Sequence, residues 1–257
     1  MDKKLIDKIA IVTGGVNGIG KAIAKIFIEN GAKVVIIDLD QNYNQDIPSF
    51  NLDYLCYDVS IEKNWLEIIN YIEKKYQKLN ILVNNAGING FEYTQNPENM
   101  SLETWDYIHK INLTSVFLGC KYGMKLMKKS NQNCSIVNIA SRSGILGVPN
   151  LSAYASSKAA IRNYTKSLAL YCAQKGYKIR CNSISSAAID TRMWDHLKKD
   201  KNKFKLFIDS LPLKRMGTVD EVAFNVLHLA SDQSLYTTAS DVIIDGGILS
   251  AGIGLPK

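Results

Sequence analysis

Short apolar segments alternate with longer amphipathic segments along most of the chain. Seven of the apolar segments are rich in Val and Ile, as is typical of strands that are buried on both faces of a parallel sheet. They span residues 9–13, 33–38, 54–58, 81–84, 135–139, 179–184 and 242–245. Helical patterns lie between them, and the longest cover residues 101–129 and 152–175. The alternation predicts an α/β protein with a doubly wound, seven-stranded parallel sheet and helices on both faces.

The 257 residues contain no linker and no change in composition that would divide the chain, so we expect a single domain over residues 1–257. Apolar residues make up 46% and charged residues 21% of the chain, which argues against disorder. A basic cluster at residues 196–205 lies between two of the predicted strands. We predict that residues 188–212 form a substrate lid, although a solvated helix face explains the cluster equally well.

The net charge of +7 suits anionic small molecules as well as nucleic acid. No aromatic platform accompanies the basic cluster, so we expect no nucleic-acid partner. The five cysteines are scattered without CxxC spacing, which favours buried thiols in a reducing compartment over disulfides or a metal site. The charged amino-terminal residues do not resemble a signal peptide, and no uncharged apolar run reaches about 18 residues. We therefore expect a cytoplasmic protein with no metal and no membrane segment.

A glycine-rich segment, TGGVNGIG at residues 13–20, follows the first predicted strand and opens a helix. Gly14 permits a tight turn, Gly18 permits close approach of a pyrophosphate, and Gly20 permits the helix to pack against the strand. The helix N-terminus offers free N–H groups to an anion. A turn between a strand and a helix also needs glycine for purely structural reasons, but the strand–glycine–helix context favours a dinucleotide site of the Rossmann type.

Asp38 ends the second predicted strand, eighteen positions beyond Gly20. A carboxylate at about this distance receives the ribose hydroxyls of a dinucleotide. Its charge would repel a 2′-phosphate, and neither Asn17 nor Leu39 supplies a cation to neutralise one. The sequence therefore favours NAD over NADP.

Tyr154 and Lys158 share one face of a predicted helix, because side chains four positions apart are neighbours on a helix. A phenol with a pKa near 10 is a poor base at neutral pH, and a lysine cation beside it would favour the phenolate. Tyr154 would then exchange a proton with an alcohol or carbonyl. Ser141 follows a predicted strand, where its hydroxyl is able to hold the same oxygen, and Asn112 has an unfavourable position inside a helix. An isolated YxxxK match is more often an ordinary helix surface.

The motifs TGGVNGIG, Asp58-Val59, NNAG at 84–87, Asn112, Ser141 and YASSK at 154–158 occur in an order and spacing that resemble the short-chain dehydrogenase/reductase family. The resemblance extends from about residue 8 to residue 247. It implies an enzyme that transfers a hydride between NAD(H) and a secondary alcohol or ketone. Tyr154 would be the acid/base, Lys158 would lower its pKa and bind the nicotinamide ribose, Ser141 would polarise the carbonyl, and Asn112 would hold a water in a proton relay.

The same resemblance implies a set of residues around the cofactor. These are Thr13, Gly14, Asn17, Gly18, Ile19, Gly20, Asp38, Leu39, Asp58, Val59, Asn84, Asn85, Ala86, Gly87, Tyr154, Lys158, Ile189 and Thr191. One motif departs from the family, because Ser186 and Ala187 stand where the family usually has Pro-Gly. This loop either keeps its path with different residues or alters the nicotinamide site, since a positive φ is no longer tolerated at the second position.

Loops at the carboxyl edge of the sheet are expected to supply the substrate pocket. Ser143, Val148 and Trp194 are the principal candidates, and Asn89, Phe91, Arg142, Asn150 and Leu197 are further contributors. Trp194 and Val148 suggest an apolar wall, while Arg142 would either pair with an acidic substrate or face solvent.

Residues 171–184 and the apolar tail at 248–255 are similar to bacterial hydroxysteroid dehydrogenases of the family. An apolar tail of this kind would be covered by a partner subunit, and by analogy with the family we expect a homotetramer. Two alternatives remain open at this stage. One is an NADPH-dependent 3-oxoacyl-carrier-protein-type ketoreductase, and the other is a non-catalytic NAD-binding module, which the replacement at Ser186-Ala187 would allow.

Overall fold

Seven parallel strands form one sheet in the order β3-β2-β1-β4-β5-β6-β7 in the computed structural model, which describes residues 3–41 and 49–251. The strands are β1 (Ile9–Thr13), β2 (Lys33–Asp38), β3 (Leu52–Cys56), β4 (Ile81–Asn84), β5 (Cys134–Ile139), β6 (Ile179–Ser186) and β7 (Asp241–Ile244). This confirms the doubly wound α/β class. The strand order reverses between β1 and β4, and ligands bind in such sheets at the carboxyl ends of the strands beside that reversal.

Helices cover both faces of the sheet. They are α1 (Gly18–Glu29), α2 (Glu62–Tyr76), α3 (Leu102–His109), α4 (Ser115–Met127), α5 (Ser152–Gln174), α6 (Asp195–Lys198), α7 (Lys201–Ser210) and α8 (Val219–Ala230). Phe27 of α1 and Val226 of α8 are buried in the apolar layer on one face. Trp65 of α2, Leu126 of α4 and Ile161 of α5 are buried in the layer on the other face. Each layer removes apolar surface from water, which is the main driving force for this packing.

The predicted helix at 101–129 is interrupted by a π-helical turn at Lys110–Thr114. Such turns contain one extra residue per turn and often occur at functional sites. The predicted helical stretch is present as α3, this turn and α4, and the 3.6-residue apolar period does not reveal the inserted residue. Strand β3 begins and ends two residues earlier than predicted, and β6 continues to Ser186 rather than ending at 184.

Four of the five cysteines are buried, but Cys56 is exposed, so the expectation of burial was wrong for that residue. Cys56 ends β3, which lies at the edge of the sheet. No helix in the described ranges is long and apolar enough to cross a membrane. Residues 42–48 and residues 252–255 of the apolar tail lie outside the described residues.

Candidate active site

One cavity of about 680 Å³ lies at the carboxyl edge of the sheet and contains most of the predicted site residues. Predicted cofactor residues that line it are Gly14, Asn17, Gly18, Ile19, Asp38, Leu39, Asp58, Val59, Asn85, Ala86, Gly87, Tyr154, Lys158, Ile189 and Thr191. Predicted substrate residues that line it are Asn89, Phe91, Arg142, Ser143, Val148 and Trp194. Asn150 and Leu197 are not among its lining residues. The glycine loop and the Tyr-Lys helix therefore open onto the same space.

The glycine loop has the backbone that the sequence predicted. Gly14 and Gly18 have φ values of +63° and +53°, a region that favours glycine. Helix α1 begins at Gly18, and the side chain of Asn17 before it makes no capping hydrogen bond, so the first-turn N–H groups are open to an anion. These features, in a cavity that continues to Tyr154, fit a dinucleotide.

Gly20 is needed for a reason other than the predicted contact between helix and strand. A Cβ at Gly20 would lie 2.0 Å from the carbonyl oxygen of Gly14 and 2.5 Å from Nδ2 of Asn85. Nδ2 of Asn85 in turn donates to the carbonyl oxygens of Thr13 and Gly14 at 3.0 and 2.9 Å. Gly20 thus gives the Asn85 side chain room to fasten the glycine loop.

Thr13 is buried behind the cavity and holds the loop that follows β4. Its Oγ1 accepts from the backbone N–H groups of Asn85 and Ala86 at 2.9 and 3.0 Å. We expected Asn84 to line the cavity, but it is not among the lining residues. It is the last residue of β4 and its Nδ2 donates to Oδ1 of Asn138 at 2.8 Å within the core, because alternate strand residues face opposite sides of the sheet.

Asp38 is the last residue of β2 and lines one end of the cavity. Its carboxylate accepts from the backbone N–H groups of Val16 at 3.0 Å and Asp40 at 3.1 Å. Among the lining residues around it, Asn17, Leu39 and Asp58 carry no positive charge. This end of the cavity therefore has an anionic lining.

Tyr154 and Lys158 are both buried on α5 and line the cavity. Nζ of Lys158 lies 5.8 Å from the centre of the Tyr154 ring and donates to the carbonyl oxygen of Ile139 at 3.0 Å. Burial raises the pKa of the Tyr154 phenol, and a hydrogen bond with the Ser141 side chain opposes that rise. Burial also lowers the pKa of Lys158 to about 8.

The direction for Tyr154 is opposite to our expectation that the Lys158 cation lowers the pKa of Tyr154. In the protein alone, removal of the phenol from water outweighs other influences, because burial disfavours the charged form of each group. The local sequence pattern does not reveal how deeply the two side chains are buried. Proximity of the two side chains, which the i,i+4 spacing predicted, is observed.

Asn112 lies in the π-helical turn and is fully buried. Its amide bonds the backbone of Ile88 and also donates to Oγ of Ser157 at 3.2 Å. A Cβ at Gly87 would lie 3.0 Å from Oδ1 of Asn112 and 3.4 Å from Nζ of Lys158. The side chain therefore holds the wall of the cavity, and its predicted role with a water stays a prediction.

The loop with the unusual residues keeps its path along the cavity, since Ser186, Ala187, Ile189 and Thr191 line it. A left-handed conformation is required at Ala188, which has a φ of +52°, and not at Ala187. The carbonyl oxygen of Ala188 accepts from the N–H of Gly217 at 3.0 Å, which holds this backbone in place.

The substrate side of the cavity has an aromatic wall. Trp194 stacks on Phe207 of α7 with ring centres 4.8 Å apart, and Phe91 contacts His196 of α6 edge to face at 4.8 Å. Sequence reasoning missed several lining residues, namely Tyr57, Tyr107, Lys110, Ile111, Leu151, Arg192 and Met193. Positions 107, 110 and 111 lie within about one helical turn of Asn112, which was the available signal for them.

The chain is similar to known proteins over nearly its whole length. The family model described as "Enoyl-(Acyl carrier protein) reductase" matches residues 14–249. The NADP-dependent (R)-specific alcohol dehydrogenase of Lentilactobacillus kefiri is 34% identical over 252 residues, which cover 96% of this chain and 98% of that protein. The 3-beta-hydroxysteroid dehydrogenase of Comamonas testosteroni is 35% identical over 260 residues, covering 98% and 100%. The ligand-free aldohexose dehydrogenase of Thermoplasma acidophilum has a TM-score of 0.88 at 33% identity, with full coverage of both chains. The chain belongs to the short-chain dehydrogenase/reductase family.

Proposed function

We propose that the protein is an NAD(H)-dependent oxidoreductase that interconverts a secondary alcohol and a ketone. The observation that carries the proposal is that Tyr154, Ser141 and Lys158 line the same cavity as the glycine loop and Asp38. A bound dinucleotide supplies or accepts the hydride, and the protein supplies orientation and proton transfer. We propose the predicted cofactor residues that line the cavity as its binding site.

Tyr154 acts as the proton donor in the direction of reduction. Its hydroxyl gives a proton to the carbonyl oxygen of the substrate as the carbonyl carbon becomes an alcohol carbon, and a phenolate remains. The Ser141 hydroxyl, which lines the same cavity and opposes the rise in the pKa of the phenol, holds the same substrate oxygen. In oxidation the phenolate takes the proton from the alcohol. The step needs a phenol able to lose and regain a proton near neutral pH.

Lys158 stabilises the phenolate state. Burial pushes both side chains toward their neutral forms, so each isolated charge is unfavourable in this cavity. When Tyr154 ionises, the ammonium beside it offsets part of that penalty for both groups, since opposite charges within a few ångströms favour each other's charged forms. With a pKa of about 8, Lys158 is mostly protonated at pH 7.

Asp38 supports NAD as the preferred cofactor. Residues 38–50 contain no Lys or Arg, and among the described residues that line the cavity, Asn17, Leu39 and Asp58 beside Asp38 carry no positive charge. A 2′-phosphate placed there would meet a carboxylate without a neutralising partner. The Lentilactobacillus kefiri relative is described as NADP-dependent, so the preference of this chain has to be measured.

The substrate side supports a largely apolar alcohol or ketone. Phe91, Val148 and Trp194 form the apolar part of the lining, and Ser143 lies beside Ser141. We propose residues 188–212 as the lid, since Ile189, Thr191 and Trp194 line the cavity and Phe207 of α7 stacks on Trp194. Apolar side chains that remain exposed on α8 and β7, such as Phe224 and Ile243, support assembly into an oligomer, and we propose a tetramer.

A substrate screen tests the function. Initial rates are measured with NADH and with NADPH against steroids, cyclic ketones, diketones and keto acids, and with NAD and NADP against the corresponding alcohols. We expect turnover of at least one secondary alcohol–ketone pair, with NADH faster than NADPH. Binding of NAD without turnover of any pair would instead indicate a non-catalytic module.

A second candidate is the reduction of a 3-oxoacyl group on a carrier protein. A relative described as the 3-oxoacyl-[acyl-carrier-protein] reductase of Chlamydia pneumoniae, 35% identical over 254 residues, favours it. The exposed lysines of α7, among them Lys201 and Lys205, are suited to an acidic carrier. NADPH preference together with faster reduction of a 3-oxoacyl thioester than of free ketones would select this candidate.

A further inference from the structure

The helix that carries Tyr154 begins without a cap of its own. The residue before α5 is Leu151, whose apolar side chain makes no capping hydrogen bond. The first N–H groups of a helix have no partners within the helix, and a polar cap side chain normally accepts from them. Tyr154 is the third residue of α5 and lies within this uncapped first turn.

Gln95 supplies the missing acceptors from a distant part of the sequence. Its side-chain Oε1 accepts from the N–H of Tyr154 at 3.1 Å. Its backbone carbonyl oxygen accepts from the N–H of Ser152 at 3.2 Å and from the Ser152 hydroxyl at 2.6 Å. Gln95 is only 2% exposed, so these hydrogen bonds are shielded from competing water.

The other half of the Gln95 amide holds the substrate side of the cavity. Nε2 donates to the carbonyl oxygens of Asn89 and Gly90 at 2.8 and 2.7 Å. Gly90 has a φ of +65°, and a Cβ there would lie 3.0 Å from Nε2 of Gln95. Asn89 and Phe91 on either side line the cavity. The close approach of this backbone to the amide therefore depends on glycine.

We propose that Gln95 is a positioning residue that fixes the backbone of Tyr154 relative to the loop at residues 89–91. The inference rests on the proposed function, which gives Tyr154 its role. One rigid amide group accepts from the helix and donates to the loop, so the two cannot move apart without breaking buried hydrogen bonds. Small displacements matter here because proton transfer requires hydrogen-bond distance between the phenol and the substrate oxygen.

Two substitutions separate the halves of the amide. Gln95→Met keeps the length of the side chain and removes every polar side-chain atom. Gln95→Glu keeps an acceptor for the Tyr154 N–H, but at neutral pH it places a carboxylate oxygen against the carbonyls of Asn89 and Gly90. Asn182→Leu is the matched control, because Asn182 is a fully buried amide with hydrogen bonds to Thr237 and Ser240 and does not line the cavity.

Steady-state kinetics, melting temperature and hydrogen exchange of residues 152–155 are measured for each variant. For Gln95→Met we expect kcat to fall by about ten- to a hundredfold and exchange of residues 152–155 to become faster. For Gln95→Glu we expect kcat to be retained better than in Gln95→Met, with a raised KM that returns toward wild type as lower pH protonates the carboxyl. Asn182→Leu should lower the melting temperature and leave kcat and this exchange unchanged.

The inference is overturned if Gln95→Met behaves as the control does, with a lower melting temperature but wild-type kcat and exchange. It is also overturned if both Gln95 variants lose kcat equally with no difference in KM. If the wild-type protein turns over no substrate, the proposed function fails separately, and exchange alone then decides. Faster exchange confined to residues 152–155 in Gln95→Met upholds the positioning role, and unchanged exchange contradicts it.

Discussion

The side-chain amide of Asn112 pairs with both backbone groups of Ile88: Oδ1 accepts from its N–H at 2.8 Å, and Nδ2 donates to its carbonyl oxygen at 2.9 Å. The pair joins the π-helical turn to the loop after β4, which lines the cavity. In Asn112→Leu, similar in size, both backbone groups of Ile88 lose these partners in a partly buried position.

We expect Asn112→Leu to lower the free energy of unfolding by about 1 to 3 kcal/mol, measured by denaturant titration. Asn163→Leu is the control, because Asn163 is exposed on α5, and it should change stability by no more than about 0.5 kcal/mol. Equal effects of the two substitutions would show that the Ile88 pair does not hold the loop.

Gly20→Ala is expected to disturb the glycine loop, because the added methyl group would overlap the carbonyl oxygen of Gly14. Overpacking of this kind destabilises by about 1 to 3 kcal/mol, and displacement of the loop should also weaken dinucleotide binding. Gly147→Ala is the control, since no atom lies within 4 Å of its added Cβ. Thermal melting with and without NAD measures both effects. If Gly20→Ala has the melting temperature of the wild type and the same increase with NAD, Gly20 does not pack closely against Gly14.

Ala188→Gly is expected to stabilise the protein, because it relieves a left-handed conformation that alanine adopts at a cost. After the greater flexibility of glycine in the unfolded chain is subtracted, the net gain is about 0.5 to 1 kcal/mol. Ala187→Gly removes the same methyl group where φ is not positive, and should destabilise by about 0.4 to 1 kcal/mol. Denaturant titration that places both variants on the same side of wild type would refute strain at Ala188.

Stability should depend on pH through Lys158. Its pKa is about 8 in the folded protein, below the usual 10.5, so the unfolded chain binds the proton more tightly between these values. The penalty of burying the ammonium is present in full below pH 8 and disappears as pH rises toward 10.5. From pH 7 to pH 10 the wild type should therefore gain about 2 to 3 kcal/mol relative to Lys158→Met. A constant difference between the two proteins across this range would contradict the assigned burial.

The sequence was sufficient where apolar runs coincide with buried strands. Residues 9–13, 33–38 and 81–84 were predicted with the bounds that β1, β2 and β4 have. The range predicted for β3 began two residues too late, after Asp53, because a charged residue weakens the apolar pattern of a strand. The structure pairs its carboxylate with Lys75 at 2.7 Å and with Tyr71 and Tyr76, partners that no local pattern reveals.

The motifs located the site but not its supports. Glycine spacing and the YxxxK pair are local features of the chain, and the structure brings them to one cavity. The role of Gln95 arises from contacts 57 and 59 positions apart, within a polar loop that has no periodic signal. The pKa of Lys158 is lowered by burial among distant segments, which the motif alone does not predict.

Tyr154→Phe tests the central claim most directly, because it removes only the phenolic oxygen from the cavity. Turnover of the best substrate pair and the dissociation constant of NADH, from its fluorescence, are measured on the same preparations of wild type and variant. We expect turnover to fall by at least about 10²- to 10⁴-fold, with NADH binding largely unchanged. A variant that binds NADH and retains full activity would show that Tyr154 is not the proton donor.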